Sequence, residues 1–212
     1  MKNERQSDIQ TIEDGSVVAA ATALGFSTVK ALGDASILAQ PRLGLLCSQR
    51  CPGDLVLQTY DLARVLRDRG ITVVGGFHSA MEKECLELLL RGSQPVVICP
   101  ARSIENMRIP KTWRGAIQKG RILLLSPFER TVRRVTKDTA RRRNEFVAAI
   151  ANELLVPHAS PGGDVEVLCR DVLTKGKKVY TLASDANDHL IALGSQLFDI
   201  EQFINRGERR DA

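Results

Sequence analysis

The stretch Arg42-Leu43-Gly44-Leu45-Leu46-Cys47, a helical pattern over 54–69, Gly70, and then Ile71-Thr72-Val73-Val74 decides the fold. Both apolar runs are continuous rather than alternating, the pattern of parallel strands covered on both faces. Between them Leu55, Leu62, Val65 and Leu66 recur on one helical face. Gly70 stands where a left-handed residue closes a helix. Strand, helix and strand in this order form a βαβ unit.

The same alternation continues toward the C-terminus. Residues 79–91 read as a helix ending at Gly92, Pro95-Val96-Val97-Ile98 as a strand, and 110–119 as a short helix ending at Gly120. Arg121-Ile122-Leu123-Leu124-Leu125 is a strand, 139–151 a helix, and Glu153-Leu154-Leu155-Val156 a strand. A helix over 165–174 closes at Gly176, and Lys178-Val179-Tyr180-Thr181-Leu182 is the last clear strand. This predicts an α/β chain with a Rossmann-like open parallel sheet and helices on both faces over 41–205. Right-handed crossovers gather the loops after the strands along one edge, where ligands bind. Toward the N-terminus, an alanine-rich helix over 17–24 and a short helix over 26–32 predict a small helical appendage over 1–40. From Glu201 onward a frayed helix end runs into a charged tail over 206–212.

At 212 residues the chain is long enough for one good-sized domain and an appendage. Its 43% apolar and 26% charged residues place it among globular proteins. No run approaches the roughly 20 apolar residues of a membrane helix. The start, Met1-Lys2-Asn3-Glu4-Arg5-Gln6-Ser7-Asp8, lacks a secretory apolar stretch, so a cytoplasmic location is expected. Five scattered cysteines fit free thiols in a reducing compartment. Cys47 and Cys51 have no second pair at zinc spacing nearby, and neither metal nor cofactor is expected.

The net charge of +5 favours an anionic partner only mildly, and its distribution is more informative. Arg130, Arg133, Arg134, Lys137, Arg141, Arg142 and Arg143 are opposed in their span only by Asp138. A solvated basic loop accounts for such a run, but arginine outnumbers lysine there and its planar fork suits phosphate oxygens. Arg142, Arg143 and Asn144 begin a helix whose Phe146, Val147 and Ile150 face the sheet.

Three loops after strands share a small-residue composition. Ser48 and Arg50, in Cys47-Ser48-Gln49-Arg50-Cys51-Pro52-Gly53, precede a helix N-terminus, where free N–H groups favour a phosphate. Gly75 and Gly76 allow close backbone approach, and Ser79 with Glu82 reads as a capping box. His78 reads as a loop histidine. Pro157-His158-Ala159-Ser160-Pro161-Gly162-Gly163-Asp164 is the strongest phosphate-loop candidate, through Ser160, Gly162 and Gly163. Phe77 and Trp113 are the candidate base-stacking side chains, with the core as their alternative place. No Ser/His/Asp or Cys/His set is positionable, and the reading without catalysis is preferred.

These residues resemble the DprA/Smf family. Leu32-Gly33-Asp34 through Ser48-Gln49-Arg50 is similar to that family's Leu-Gly-Asp turn and its strand ending Gly-Ser-Arg. Thr72-Val73-Val74-Gly75-Gly76 resembles Val-Val-Ser-Gly, and Arg142-Arg143-Asn144 resembles an Arg-Arg-Asn signature. Ser160-Pro161-Gly162-Gly163 falls where the family carries Ser-Gly-Ser. Gln49 interrupts the first motif, and Pro157-His158 replaces Glu-Ala. The resemblance implies single-stranded DNA binding, often as a homodimer, and recombinase loading in DNA uptake, with Arg50, Arg142, Arg143 and Asn144 in the basic pocket. The alternative is a nucleotide-binding or nucleotide-cleaving protein of the LOG type. Pro161-Gly162-Gly163 begins like the LOG loop, but the loop's second glycine and its threonine are missing.

Overall fold

The computed structural model describes residues 8–105 and 107–203. Seven strands form the parallel part of the sheet: β3 (Leu43–Leu45), β4 (Val73–Gly75), β5 (Val96–Ile98), β6 (Ile122–Ser126), β7 (Glu153–Leu155), β8 (Val179–Thr181) and β9 (Gln196–Leu197). Helices α2 (Gly53–Asp68), α3 (Ala80–Leu89), α4 (Lys111–Gln118), α5 (Lys137–Ile150) and α6 (Asp164–Thr174) alternate with them, and α7 (Asp188–Ala192) precedes β9. The expected elements over 42–182 are thus present. Gly70, which ends α2, takes φ +71°, as a helix-closing glycine does.

Alternation along each buried strand feeds two cores. Val74, Leu123 and Leu125 face a core built with Phe146, Val147 and Leu168 of α5 and α6. Val73, Ile122 and Leu124 face the other, with Leu66, Leu86 and Leu89 of α2 and α3. A strand that supplies both faces must be apolar at every position, which is why these runs show no polar alternation.

The N-terminal segment departs from the expected helical appendage. One helix, α1 (Gly15–Ala23), is present, but the second expected helix over 26–32 is replaced by a strand. β1 (Ile9–Thr11) and β2 (Lys30–Leu32) pair antiparallel, and β2 continues the main sheet antiparallel to β6 with Ala31 opposite Leu125. The reason lies in β6, whose residues 122–126 are fully buried. Without β2 its free edge would leave backbone N–H and C=O groups unpaired in the interior. A short 3₁₀ helix, Ala35–Ala39, leads from β2 toward β3. At the other end β9 adds a strand beyond the last expected one. Residues 201–203 are helical as expected, while the charged tail over 206–212 lies outside the described residues.

The strand order is β1-β2-β6-β5-β4-β3-β7-β8-β9. Chain progression runs one way from β3 through β4 and β5 to β6, and the other way from β7 through β8 to β9. The direction reverses between β3 and β7. There the loops leaving the strands diverge and open a crevice at their C-terminal ends. No helix among the described residues is long and apolar enough to cross a membrane.

Candidate functional site

A cleft of about 740 Å³ occupies this reversal point, walled by the loops after β3, β4 and β7 and by the first two turns of α5. Ser48, Arg50, Ser79, Arg143, Asn144, Ser160 and Gly163, all expected site residues, line it.

Arg143 is the most unusual of them. It is only 3% exposed, yet forms no ion pair among the described residues. Its guanidinium occupies the space beside Gly76, where a Cβ would stand 1.6 Å from Nη1. Nε donates to Asn144 Oδ1 at 2.8 Å and Nη1 to the Cys99 carbonyl at 3.2 Å. Among the described residues Nη2 meets no acceptor. Burial lowers the pKa of this arginine, while the charge of Glu82 opposes that effect, and a guanidinium keeps its proton even so. Because Asn144 Oδ1 is occupied by Arg143, its amide hydrogens remain as donors beside the cleft.

Arg142, one position earlier, does not reach the site. Its Nη2 donates to the Leu24 carbonyl at 3.3 Å, and its guanidinium sits 4.2 Å from the centre of the Phe26 ring. It fastens α1 to α5. Successive helical residues point about 100° apart, so three arginines in a row face three directions. Arg141 lines the cleft instead, paired with Asp138 at 3.1 Å and Glu145 at 2.8 Å. Its i, i+3 relation to Asn144 is the signal that places both on one face.

The glycine loops hold themselves together more than the sequence suggests. Ser79 caps α3, its Oγ accepting from the Glu82 N–H at 3.2 Å, but Glu82 does not complete the box. Its buried carboxylate accepts from the N–H of Cys47 at 2.9 Å and of His78 at 2.8 Å, tying the β3 loop to the β4 loop. In the β7 loop, Ser160 N–H donates to Ser48 Oγ, Gly163 N–H to the Ser160 carbonyl, and Gly162 N–H to Glu166 Oε2 at 2.7 Å. That last bond, with help from Arg170 and His189, holds the Glu166 carboxyl below its usual range against the opposing effect of burial. Gly162 takes φ +70° and lies outside the cleft lining. Among the donors that remain are the N–H groups of Asp164, Val165 and Glu166 at the start of α6, which has no side-chain cap.

Three further expectations change. Gly75 is a buried strand residue whose carbonyl accepts from Cys99 N–H, so it offers nothing to the cleft. Phe77, with a positive φ of 48°, is buried in the core. Trp113 packs against that core from α4. Neither lines the cleft.

Arg50, Lys137, Arg141 and Arg143 face the cleft against the carboxylates of Glu82 and Asp164. Lys137 stands 3.6 Å from Asp164. Arg50, Arg133 and Arg134 are exposed and form no ion pair among the described residues. The five cysteines are free thiols. Among the described residues no cluster of histidine, cysteine or carboxylate side chains is placed to hold a metal ion.

No family model matches the chain, and no curated protein does. Solved structures do. DNA processing protein A from Helicobacter pylori, described for a single-stranded DNA binding mode, is similar with a TM-score of 0.74 at 21% identity, over 95% of this chain and 96% of that one. DNA processing protein A from Streptococcus pneumoniae is similar with a TM-score of 0.72 at 15% identity, over 90% of this chain and 70% of that one. The molybdenum cofactor binding protein of Rippkaea orientalis is similar with a TM-score of 0.56 at 12% identity, over 82% and 98%. At these identities the likeness is one of fold, and the resemblance read from the motifs holds at that level.

Proposed function

We propose that this chain binds single-stranded nucleic acid, with single-stranded DNA as its ligand, by seating backbone phosphates in the cleft. The observation that carries the reading is Arg143. A buried cation without an ion pair is costly to the fold, and here Gly76 makes room for it at the base of a cleft lined by further cations. An anion that meets Nη2, the Asn144 amide and the α6 N–H groups would offset that cost. A partly dehydrated guanidinium binds phosphate oxygens with strong, directional hydrogen bonds.

The loop hydrogen bonds favour a strand over a dinucleotide or nucleoside diphosphate. A Rossmann pyrophosphate site uses the free N–H groups of its glycine turns. Here Glu82, Glu166, Ser48 and the Ser160 carbonyl already take those of Cys47, His78, Gly162, Ser160 and Gly163. The same occupancy speaks against a LOG-type cleavage site on Pro161-Gly162-Gly163. The similarity in fold to DNA processing protein A supports the choice of ligand. On the resemblance we place the protein in cytoplasmic DNA uptake or recombination, as a homodimer with a recombinase for a partner.

Fluorescence anisotropy of labelled oligo-dT, titrated across a salt series, tests the binding. The expected result is salt-sensitive affinity that AMP does not displace and that falls at least tenfold in the Arg50→Ala/Lys137→Ala double variant. Displacement by AMP, or an oligomer that never binds, would sink the reading and favour a mononucleotide site at the start of α6.

A further inference from the structure

A second groove of about 370 Å³ lies between α2 and α3, on the other side of the loop that bears Arg50. Gln49 and Arg50 line both this groove and the cleft, so one loop of the chain separates the two spaces. The groove's remaining walls include Val56, Tyr60 and Met81. Resting on the phosphate-cleft reading above, we propose that this groove receives a nucleobase of the bound strand, stacked on Tyr60.

Elimination among the aromatic side chains supports the assignment. Phe26, Phe77, Phe128, Phe146 and Tyr180 are buried. Phe198 and Phe203 pack on Tyr180, and Trp113, which packs on the same core as Tyr60, lines neither the cleft nor the groove. Tyr60 is half-buried, and its groove shares Gln49 and Arg50 with the cleft. Its hydroxyl donates to Glu84 Oε2 at 2.9 Å, so the ring rather than the hydroxyl is what it offers a ligand. Gln49 is exposed and forms no hydrogen bond among the described residues, leaving its amide for the polar edge of a base. An aromatic face, the apolar side chains of Val56 and Met81, and polar groups at Gln49 and Glu84 suit a planar heterocycle. Phosphate on one side of the Arg50 loop and base on the other is the arrangement single-strand binders use, combining a cationic track with a stacking surface.

The test compares oligo-dT with an abasic phosphodiester of equal length and charge. Wild type is expected to bind oligo-dT about tenfold more tightly, the range of a stacked base. Tyr60→Ala should cut that preference to less than about threefold while leaving affinity for the abasic strand unchanged, and Tyr60→Phe should keep the preference. A full preference in Tyr60→Ala would overturn the inference and leave the cleft reading standing. If wild type binds neither strand, the cleft reading falls and takes this one with it. A 5-iodouracil oligomer crosslinked to the wild-type protein decides independently of any variant's folding: crosslinks on Tyr60 support the site, and crosslinks confined to other residues overturn it.

Discussion

Arg143 and Gly76 act as one unit. Gly76 does not take a positive φ, so an alanine there would meet no backbone penalty. Its methyl would collide with the guanidinium, which must then leave its place over the strand end. Gly76→Ala is expected to cost about 1–3 kcal/mol of stability, as overpacking does, and to weaken oligonucleotide affinity by at least tenfold. Denaturant titration beside anisotropy separates the two effects, and an alanine variant with wild-type affinity would remove Arg143 from the site. The thiols offer a second check on the β3 loop. A hydrogen bond between the two sulfurs pushes Cys47 far up, with burial adding to it, and pulls Cys51 down. Burial pushes Cys85, Cys99 and Cys169 to about 12. Because the thiolate is the reactive form, Ellman's reagent at pH 8 should label Cys51 first in the native protein, with the other four following only on unfolding. Mass mapping of the first adduct to any other cysteine would contradict this placement of the loop.

At the scale of elements, α5 carries Arg141, Arg143 and Asn144, and both its ends are held. Thr136 and Thr139 cap its start reciprocally. At its end Lys177 Nζ donates to the carbonyls of Ala148 and Ala151, each at 2.5 Å. Arg42 Nε donates to the Ile150 carbonyl at 3.1 Å, and Nη1 reaches the carbonyls of Leu38 and Gln40. Two cations at a helix C-terminus also complement its dipole. Arg42→Met is expected to cost about 2–3 kcal/mol by leaving buried carbonyls unsatisfied, lowering Tm by roughly 5–10 °C. The salt dependence of oligonucleotide binding by the folded variant should stay as in wild type, because Arg42 lies far from the cleft in function; an altered slope would mean α5 transmits the change. The elements from β3 to β8 were legible because buried strands and amphipathic helices announce themselves over short windows. β2 was not, since Val29-Lys30-Ala31-Leu32 becomes a strand only against the buried edge of β6, more than 90 residues away. Local pattern carries no record of a distant edge that needs a partner.

For the whole molecule, the reversal of strand order placed the cleft, and that reversal follows from the βαβ pattern without being visible in it. The loops were recognised by composition, yet composition could not show that Glu82 and Glu166 would take N–H groups that a phosphate would need. Nor could it sort Arg141, Arg142 and Arg143, which differ only by their angle around α5. On the proposed reading, binding would rest on the position of charge and not on the net +5 of the chain. These two sources make different predictions. For single strands the slope of log K against log salt is about −0.7 per phosphate contacted. Four cleft cations predict a slope near −3, and Arg133 and Arg134, which form no ion pair among the described residues and shortly precede the capped start of α5, would steepen it to about −4 if the strand passes over them. Arg133→Ala/Arg134→Ala should then flatten the slope by about 1.4, while Lys119→Ala, exposed on the C-terminal side of α4, should leave it unchanged. Flattening by Lys119→Ala of about 0.7, half that of the double variant, would mean that overall charge, and not the cleft and its basic approach, attracts the strand.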